Sequence, residues 1–429
     1  MTKLWEKKKT KLNPAVNGYI ISKNLEQDKK LLPYDILASI AHTEMLVKIG
    51  VLSRKDGADI TNALKNIQKL ELEGKFKLKQ KDEDCHTAIE NFVVKKLGQT
   101  GKKIHTGRSR NDQVLVALRL FSKDYLAKIK ESVLTLAKTI LDFAKQYEFI
   151  PMPGYTHTQQ AMPSSVGQWA GSFVESLLDD IIAIDAAIKL NDQNPLGSAA
   201  GFGTSIPVDR NYTSKLLGFS RTQINSLYCQ NSRGKIESFL ISALAQVMMT
   251  LGKIANDMVL FTSYEFGFFR IDTSLTTGSS IMPQKQNLDI MEVLRANVSV
   301  IFANQMLVQN AGHNLVSGYN KDLKITKKAL MDSFSLVSSS IAITKLLFEH
   351  MEPNEERLNK AFSLGIFATD EANELALKGV PFRDAYKKIG ESLGNLKLQD
   401  VIKNIRSKKH IGSTGNLQLH AYEERIKNL

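Results

Sequence analysis

Four polar segments, each interrupted by glycine or proline, hold the side chains whose types and spacing suit chemistry. In "GKKIHTGRSRNDQV" (101–114), Arg108, Ser109, Arg110, Asn111 and Asp112 stand directly ahead of a long apolar-periodic run. Helix N-termini present unpaired N–H groups and favour anions, so two arginines here make a carboxylate or phosphate grip. The competing reading is a capped helix start, with Asn111 or Asp112 as cap and the arginines solvated. In "MPGYTHTQQAMPSS" (152–165), His157 follows an aromatic in a turn between prolines. It is either a general acid or base near neutral pH or a surface residue without chemistry.

The third segment, "TTGSSIMPQKQNLD" (276–289), places Ser279 and Ser280 after Gly278, with Lys285 and Asn287 further on. A glycine-serine loop can close over a substrate. It matches neither the phosphate loop G-x-x-x-x-G-K-[ST] nor the elbow G-x-S-x-G. Asp289 to Glu292 reads as a capping box for the next helix, a structural role for Glu292. The fourth, "SGYNKDLKITKK" (317–328), offers Tyr319, Lys321, Lys324 and Lys327. Lys324 and Lys327 share a helical face, and the bland alternative is a solvated charge run.

These segments need elements to position them, and those elements read as helices. Between Arg108 and Ile150 there is no glycine or proline, and apolar residues recur at helical spacing from Val114 to Ile140. A helix of roughly 35 residues spans about 50 Å. Comparable runs cover 164–190, 235–265, 289–311 and 319–352, without sustained two-residue alternation. The run 289–311 is apolar on almost every side, which means burial among other helices. The expected fold is all-α, an elongated central helix bundle flanked by two smaller helical domains. Breaks near 107 and 352 divide it into 1–107, 108–352 and 353–429.

Composition narrows the class. A chain of 429 residues with 43% hydrophobic content can bury a large core. The lysine-bearing N-terminus lacks a following apolar stretch, and no uninterrupted apolar run reaches membrane-span length, so a soluble, cytoplasmic protein without membrane contact is expected. Cys85 and Cys229 are the only cysteines and form no C-x-x-C pair, which argues against a disulfide framework or a thiolate metal cluster. The formal charge of +13 is spread over scattered basic residues without interleaved aromatics, which argues against nucleic acid as a partner.

Together, "HTGRSRNDQV", "MPGYTH", "NPLGSAAGFG" (194–203), "TTGSSIMPQKQN", "GYNKDL" and "GVPFRDAYKKIG" (379–390), in that order, resemble the argininosuccinate lyase branch of the fumarase/aspartase superfamily. The resemblance implies a homotetramer whose central bundle draws on every subunit, with each active site built from three chains. It also implies reversible cleavage of argininosuccinate to arginine and fumarate, a step of arginine biosynthesis, without metal or organic cofactor. Ser279 matches the base that takes the β-proton, Lys285 the cation that supports it and meets the substrate carboxylate, and Asn287 a hydrogen-bond donor to the fumarate part. His157 matches the proton donor to the leaving group, and Glu292 its carboxylate partner. Asn111 and Thr156, with Arg110, match positions holding the succinate carboxylates; Tyr319, Lys324 and Lys327 match those around the arginine half.

Several positions depart from the family pattern. "LWEKKK" (4–9) stands where the family has "LWGGRF", and Asn24 replaces a substrate-contacting serine four residues before Asp28. Asparagine still hydrogen-bonds a carboxylate or amine. Lys324 replaces a glutamine, which adds positive charge beside a guanidinium. Leu288 replaces a proline after Asn287, a change expected to loosen the loop. A non-enzymatic relative that keeps only the fold has no need of His157, Ser279, Lys285 and Glu292 together.

Overall fold

A computed structural model describes residues 15, 16, 19, 25–78 and 82–429. Helices dominate: α1 (Leu25–Lys48), α2 (Arg54–Leu72), α3 (Cys85–Leu97), α4 (Arg110–Gln146), α5 (Val166–Asn191), α6 (Lys235–Phe261), α7 (Asp289–Gly312) and α8 (Lys324–Glu349), with shorter helices toward the C-terminus. The five long runs read from apolar spacing are α4 to α8, displaced by a few residues at their ends. The chain divides into two compact units, one of 1–128, 185–242 and 303–334, the other of 129–184, 243–302 and 335–429. Each of α4 to α8 contributes residues to both.

In the first unit, an aromatic cluster fixes the packing of α1, α4 and α8. Phe121 stacks on Tyr125 at 4.1 Å and meets Tyr34 and Phe334 edge to face. Arg119 is buried beside them in sequence and is held through Asn191, whose Nδ2 donates to the Arg119 carbonyl at 2.9 Å. The start of α4 differs from expectation: the cap is Ser109, whose Oγ accepts from Asn111 N, while Asp112 reaches back to accept from Ser109 N at 2.9 Å. The other Asp112 oxygen accepts from Gly197 N and Ala199 N, both at 3.0 Å. Asp112 therefore ties the turn 197–199 to the first turn of α4. Its burial pushes the carboxyl up to about 6, against the pull of these N–H donors and Arg108.

In the second unit, Trp169 is the hub. Its ring packs against Phe173, Phe261, Phe269 and Phe348, and its Nε1 donates to Asp257 at 2.9 Å. The segment 151–165 forms an antiparallel hairpin, β1 (Pro151–Thr156) with β2 (Gln159–Ser165), which the sequence pattern did not show. Prolines at 151, 153 and 163 mask its strand character. The register shifts between Pro153 and Tyr155, and Gly154 fills the irregularity, since a Cβ there would lie 2.9 Å from the Met162 carbonyl oxygen. Tyr155 anchors the hairpin among Phe261, Phe266 and Phe268.

Two helical segments, Lys235–Phe261 and Lys321–Glu349, are long and apolar enough to cross a membrane, contrary to the estimate from uninterrupted apolar runs. Counting isolated runs overlooks a helix whose few charges are spread along it, as Glu237 and Lys253 are. Within the fold, 67% and 50% of their most apolar windows are buried, as core helices would be.

Two consequences can be measured. Asp112→Ala removes the acceptor of three backbone N–H groups, one buried and two part-buried, and is expected to cost on the order of 3 kcal/mol in urea unfolding, an outcome excluded by a change under about 0.5 kcal/mol. At the hairpin tip, His157 and Thr158 have φ of 52° and 59°, and a β-branched residue is costly there. Thr158→Gly is expected to raise stability by about 1 kcal/mol, and a destabilised variant would contradict the strain.

Candidate active site

The first unit contains a cavity of about 260 Å³ that brings together five of the expected site residues: Arg110, Asn111, Tyr319, Lys324 and Lys327. Its wall is made of helix ends. Asp84 caps α3 by accepting from Thr87 N at 2.8 Å, and the same carboxylate lies 3.4 Å from Arg110 Nη1. Arg110 also donates through Nη2 to Thr87 Oγ1 at 3.0 Å, so its guanidinium is oriented by two residues of one helix start. Burial opposes the charge on Asp84, but Arg110, His86 and the Thr87 donors bring its carboxyl down to about 2. At neutral pH the Asp84 carboxylate is therefore ionised.

Cations are in excess across this cavity, with five arginines and lysines facing three carboxylates. Lys327 Nζ lies 2.8 Å from Asp28, a nearly buried pair that neutralises the deepest lysine. Lys324 sits one turn away; burial lowers its pKa, helped by Lys321 and Lys327, while Glu83 and Asp84 oppose the shift. Arg233, absent from the expectations drawn from sequence, also lines the cavity. It donates to the Asn111 carbonyl at 2.5 Å and to Gln230 Oε1 at 3.0 Å, and its guanidinium lies 5.2 Å from the Tyr319 ring centre. The signal for it was weak: "NSRGK" looks like an ordinary turn until α6 is seen to start beside it.

His86 is a second residue not foreseen. It is fully buried against the cavity, with Nδ1 2.9 Å from the equally buried Asp35 carboxylate, which Gln113 Nε2 also meets at 3.0 Å. Burial resists the Asp35 charge, yet His86, Arg108 and Gln113 hold its carboxyl below the usual range. Arg108 is itself buried and donates to Ser39 Oγ at 2.9 Å, which makes it part of the scaffold, unlike the solvated residue of the simpler reading. Asn24 lies outside the described residues.

The remaining expected residues lie in the second unit, on two exposed segments. Thr156 closes β1 opposite Gln159, and His157 occupies the two-residue tip with Thr158, both left-handed. Non-glycine residues persist in that conformation only where the surroundings enforce it. The 276–289 segment is a loop pinched at its neck, where Thr277 and Asn287 exchange backbone hydrogen bonds of 3.0 and 2.8 Å. Within it, Ser279 Oγ accepts from the backbone N–H of both Met282, at 3.1 Å, and Ile281, at 3.3 Å. Lys285 is exposed on the same loop, its N–H donating to the Met282 carbonyl at 3.1 Å.

Two expectations about this loop need correction. Leu288 does not leave the neck loose: its side chain is buried, 8% exposed, and its carbonyl accepts from Met291 N. Apolar burial and the Thr277–Asn287 pair hold the neck without a stiff proline. Helix α7 starts at Asp289 itself, whose carboxylate accepts from Thr277 Oγ1 at 2.5 Å, so a different contact takes the place of the capping box with Glu292. Glu292 is exposed, and among the described residues of the single chain no ion pair joins it to His157.

Comparisons with known proteins identify the family and the fold. A family model described as a lyase matches residues 13–303. An argininosuccinate lyase of Thermotoga neapolitana is 43% identical over 92% of this chain and 99% of its own length. One from Sorangium cellulosum is 42% identical over 93% of each. Among solved structures, EDDS lyase in complex with formate superposes with a TM-score of 0.77 at 21% identity, covering 94% of this chain and 86% of that one. A fumarate lyase from Mesorhizobium sp. BNC1 gives 0.72 at 15% identity, covering 97% and 95%. Those two likenesses establish the fold, and the closer sequence relatives establish the branch: the chain belongs to the argininosuccinate lyase family of the fumarase/aspartase superfamily.

Proposed function

We propose that this protein cleaves argininosuccinate to arginine and fumarate, reversibly, as a cytoplasmic homotetramer serving arginine biosynthesis. The observation that carries the reading is likeness at 43% identity along 92% of the chain to a protein of that activity. The chemistry asks for a base at a weakly acidic carbon and for charge stabilisation beside it. Ser279 takes the β-proton, leaving a carbanion whose charge spreads into the adjoining carboxylate as an aci-carboxylate. That electron pair then forms the double bond of fumarate, and the bond to the guanidino nitrogen breaks as His157 donates a proton to it.

A serine hydroxyl is a poor base unless its alkoxide is stabilised. Two backbone N–H groups directed at Ser279 Oγ supply part of that stabilisation, and Lys285 supplies the charge. Asn287 donates to the same fumarate part. Arg110, Asn111 and Thr156 hold the succinate carboxylates; Tyr319, Lys324 and Lys327, with Asn24, contact the remainder of the substrate. Lys324 in place of glutamine also favours a second reading, a sister lyase acting on an N-succinyl compound with a more acidic amine half.

The tetramer reading is supported by α7. Val293, Ala296, Val300, Ala303 and Leu307 are all exposed on it, spaced alternately three and four residues apart. That is the seam of a coiled coil, and alanines at alternate positions let a facing helix approach closely. An apolar stripe of this kind in water needs a partner, here α7 of other copies. Assembly would also bring His157 to Glu292 of another subunit, in line with their lack of pairing within one chain. Both cysteines are buried and free, as suits a reducing compartment.

Fumarate release, followed by ultraviolet absorbance on a panel of argininosuccinate, adenylosuccinate, aspartate and malate, tests the substrate. Release from argininosuccinate is expected, and release only from another compound would transfer the assignment to the sister lyase. Ser279→Ala is expected to lower turnover about 10²- to 10⁴-fold while substrate still binds; retention within tenfold would remove Ser279 as base. For the assembly, Val300→Glu is expected to convert a tetramer into smaller species in sedimentation, with activity lost. A monomeric wild type, or a tetrameric variant, would refute the α7 seam.

A further inference from the structure

Cys85 opens α3 directly beside His86, and α1 brings Asp35 against both. One ring nitrogen of His86, the Cys85 Sγ and a carboxylate oxygen of Asp35 lie within 4.8 Å of one another, and all three residues are fully buried. With Nδ1 facing Asp35, His86 Nε2 is left buried without a hydrogen-bond partner among the described residues. The absence of a C-x-x-C pair had argued against a thiolate site, yet the fold brings the distant Asp35 carboxylate to the adjacent sulfur and imidazole of Cys85 and His86. The charged groups acting on Cys85 are mainly the carboxylates Asp35, Asp28 and Asp84, offset by Lys327, while Arg108 acts on Asp35.

We propose that Asp35, Cys85 and His86 form a binding site for a borderline-soft divalent cation of the Zn²⁺ or Cd²⁺ class, reached from the candidate substrate cavity that His86 lines. A tetrahedral ion with bonds of about 2.0–2.3 Å sets its ligand atoms roughly 3.3–3.7 Å apart. The His86 to Asp35 distance of 2.9 Å must open by a few tenths of an ångström, and the thiol must close in. On binding, the Cys85 S–H bond breaks, its proton passes to solvent, and the sulfur electron pair forms the metal bond. Thiolate, carboxylate and neutral imidazole then balance the divalent charge, and the fourth position opens toward water. Hard ions such as Mg²⁺ do not suit a set with one thiolate and one imidazole. Such an ion is an inhibitor here, because it adds to the cavity wall and fixes His86; the proposed elimination has no step through it.

The test uses the full-length protein stripped with a chelator and titrated with Cd²⁺, reading the ultraviolet thiolate-to-metal charge-transfer band and equilibrium dialysis. One ion per chain with a band is expected in the wild type and in Cys229→Ser. The band should vanish in Cys85→Val, with Cys85→Ser as a second variant and circular dichroism as the check on folding. No band in the wild type, or a band that survives in either folded Cys85 variant, overturns the site. As a second readout resting on the proposed activity, Zn²⁺ at saturation is expected to slow fumarate release at least tenfold in the wild type and less than twofold in Cys85→Val. The spectral result stands whether or not argininosuccinate is the substrate; equal inhibition of both proteins removes the link to the cavity.

Discussion

The Asp112 carboxylate is the contact on which the binding end of this molecule depends. It is buried, which is unfavourable for a charge, and it is tolerated because three backbone N–H groups converge on it. Two of those donors come from the turn 197–199, so one side chain joins a loop to the first turn of the longest helix. Arg110 and Asn111 occupy that same turn. Their positions in the cavity wall are thus set by a contact that faces away from the cavity.

The rest of the cavity follows the same economy. Asp84 caps one helix and orients Arg110 from another; Arg233 holds the Asn111 carbonyl and lies over Tyr319. Each polar group is both a structural partner and part of the wall, so little side-chain entropy remains to be lost when a ligand enters. Lys324 is the chain's own variation on this wall. It adds a cation to a row already containing Lys321 and Lys327, and the carboxylates of Glu83 and Asp84 temper it.

The two segments proposed to carry the reaction are built differently. The His157 turn stores backbone strain at an exposed tip, and the Ser279 loop is tied at its neck but open beyond it. Exposure of such residues in one chain is reasonable where neighbouring chains complete the site. The apolar seam on α7 has the same meaning: helix 289–311 was expected to be buried all round, and in one chain half of that burial is missing. The proposed assembly would supply the burial that this periodicity asks for.

The sequence by itself determined the five long helices, since uninterrupted apolar spacing and Gly/Pro breaks are local properties that each segment carries alone. It also determined the family, through motifs whose order survives along the chain. It did not determine the 151–165 hairpin, because prolines obscure a strand whose partner is known only once the chain folds back. Nor did it reveal Arg233, or the burial of Arg108, His86 and Asp35, because a charged residue reads as solvated until its partners are known. Tertiary structure decided those, along with the choice of Ser109 as cap and the burial of Leu288. The physical reason is common to all of them: desolvation and hydrogen-bond satisfaction are settled between residues distant in sequence, and no local pattern records which distant residue arrives.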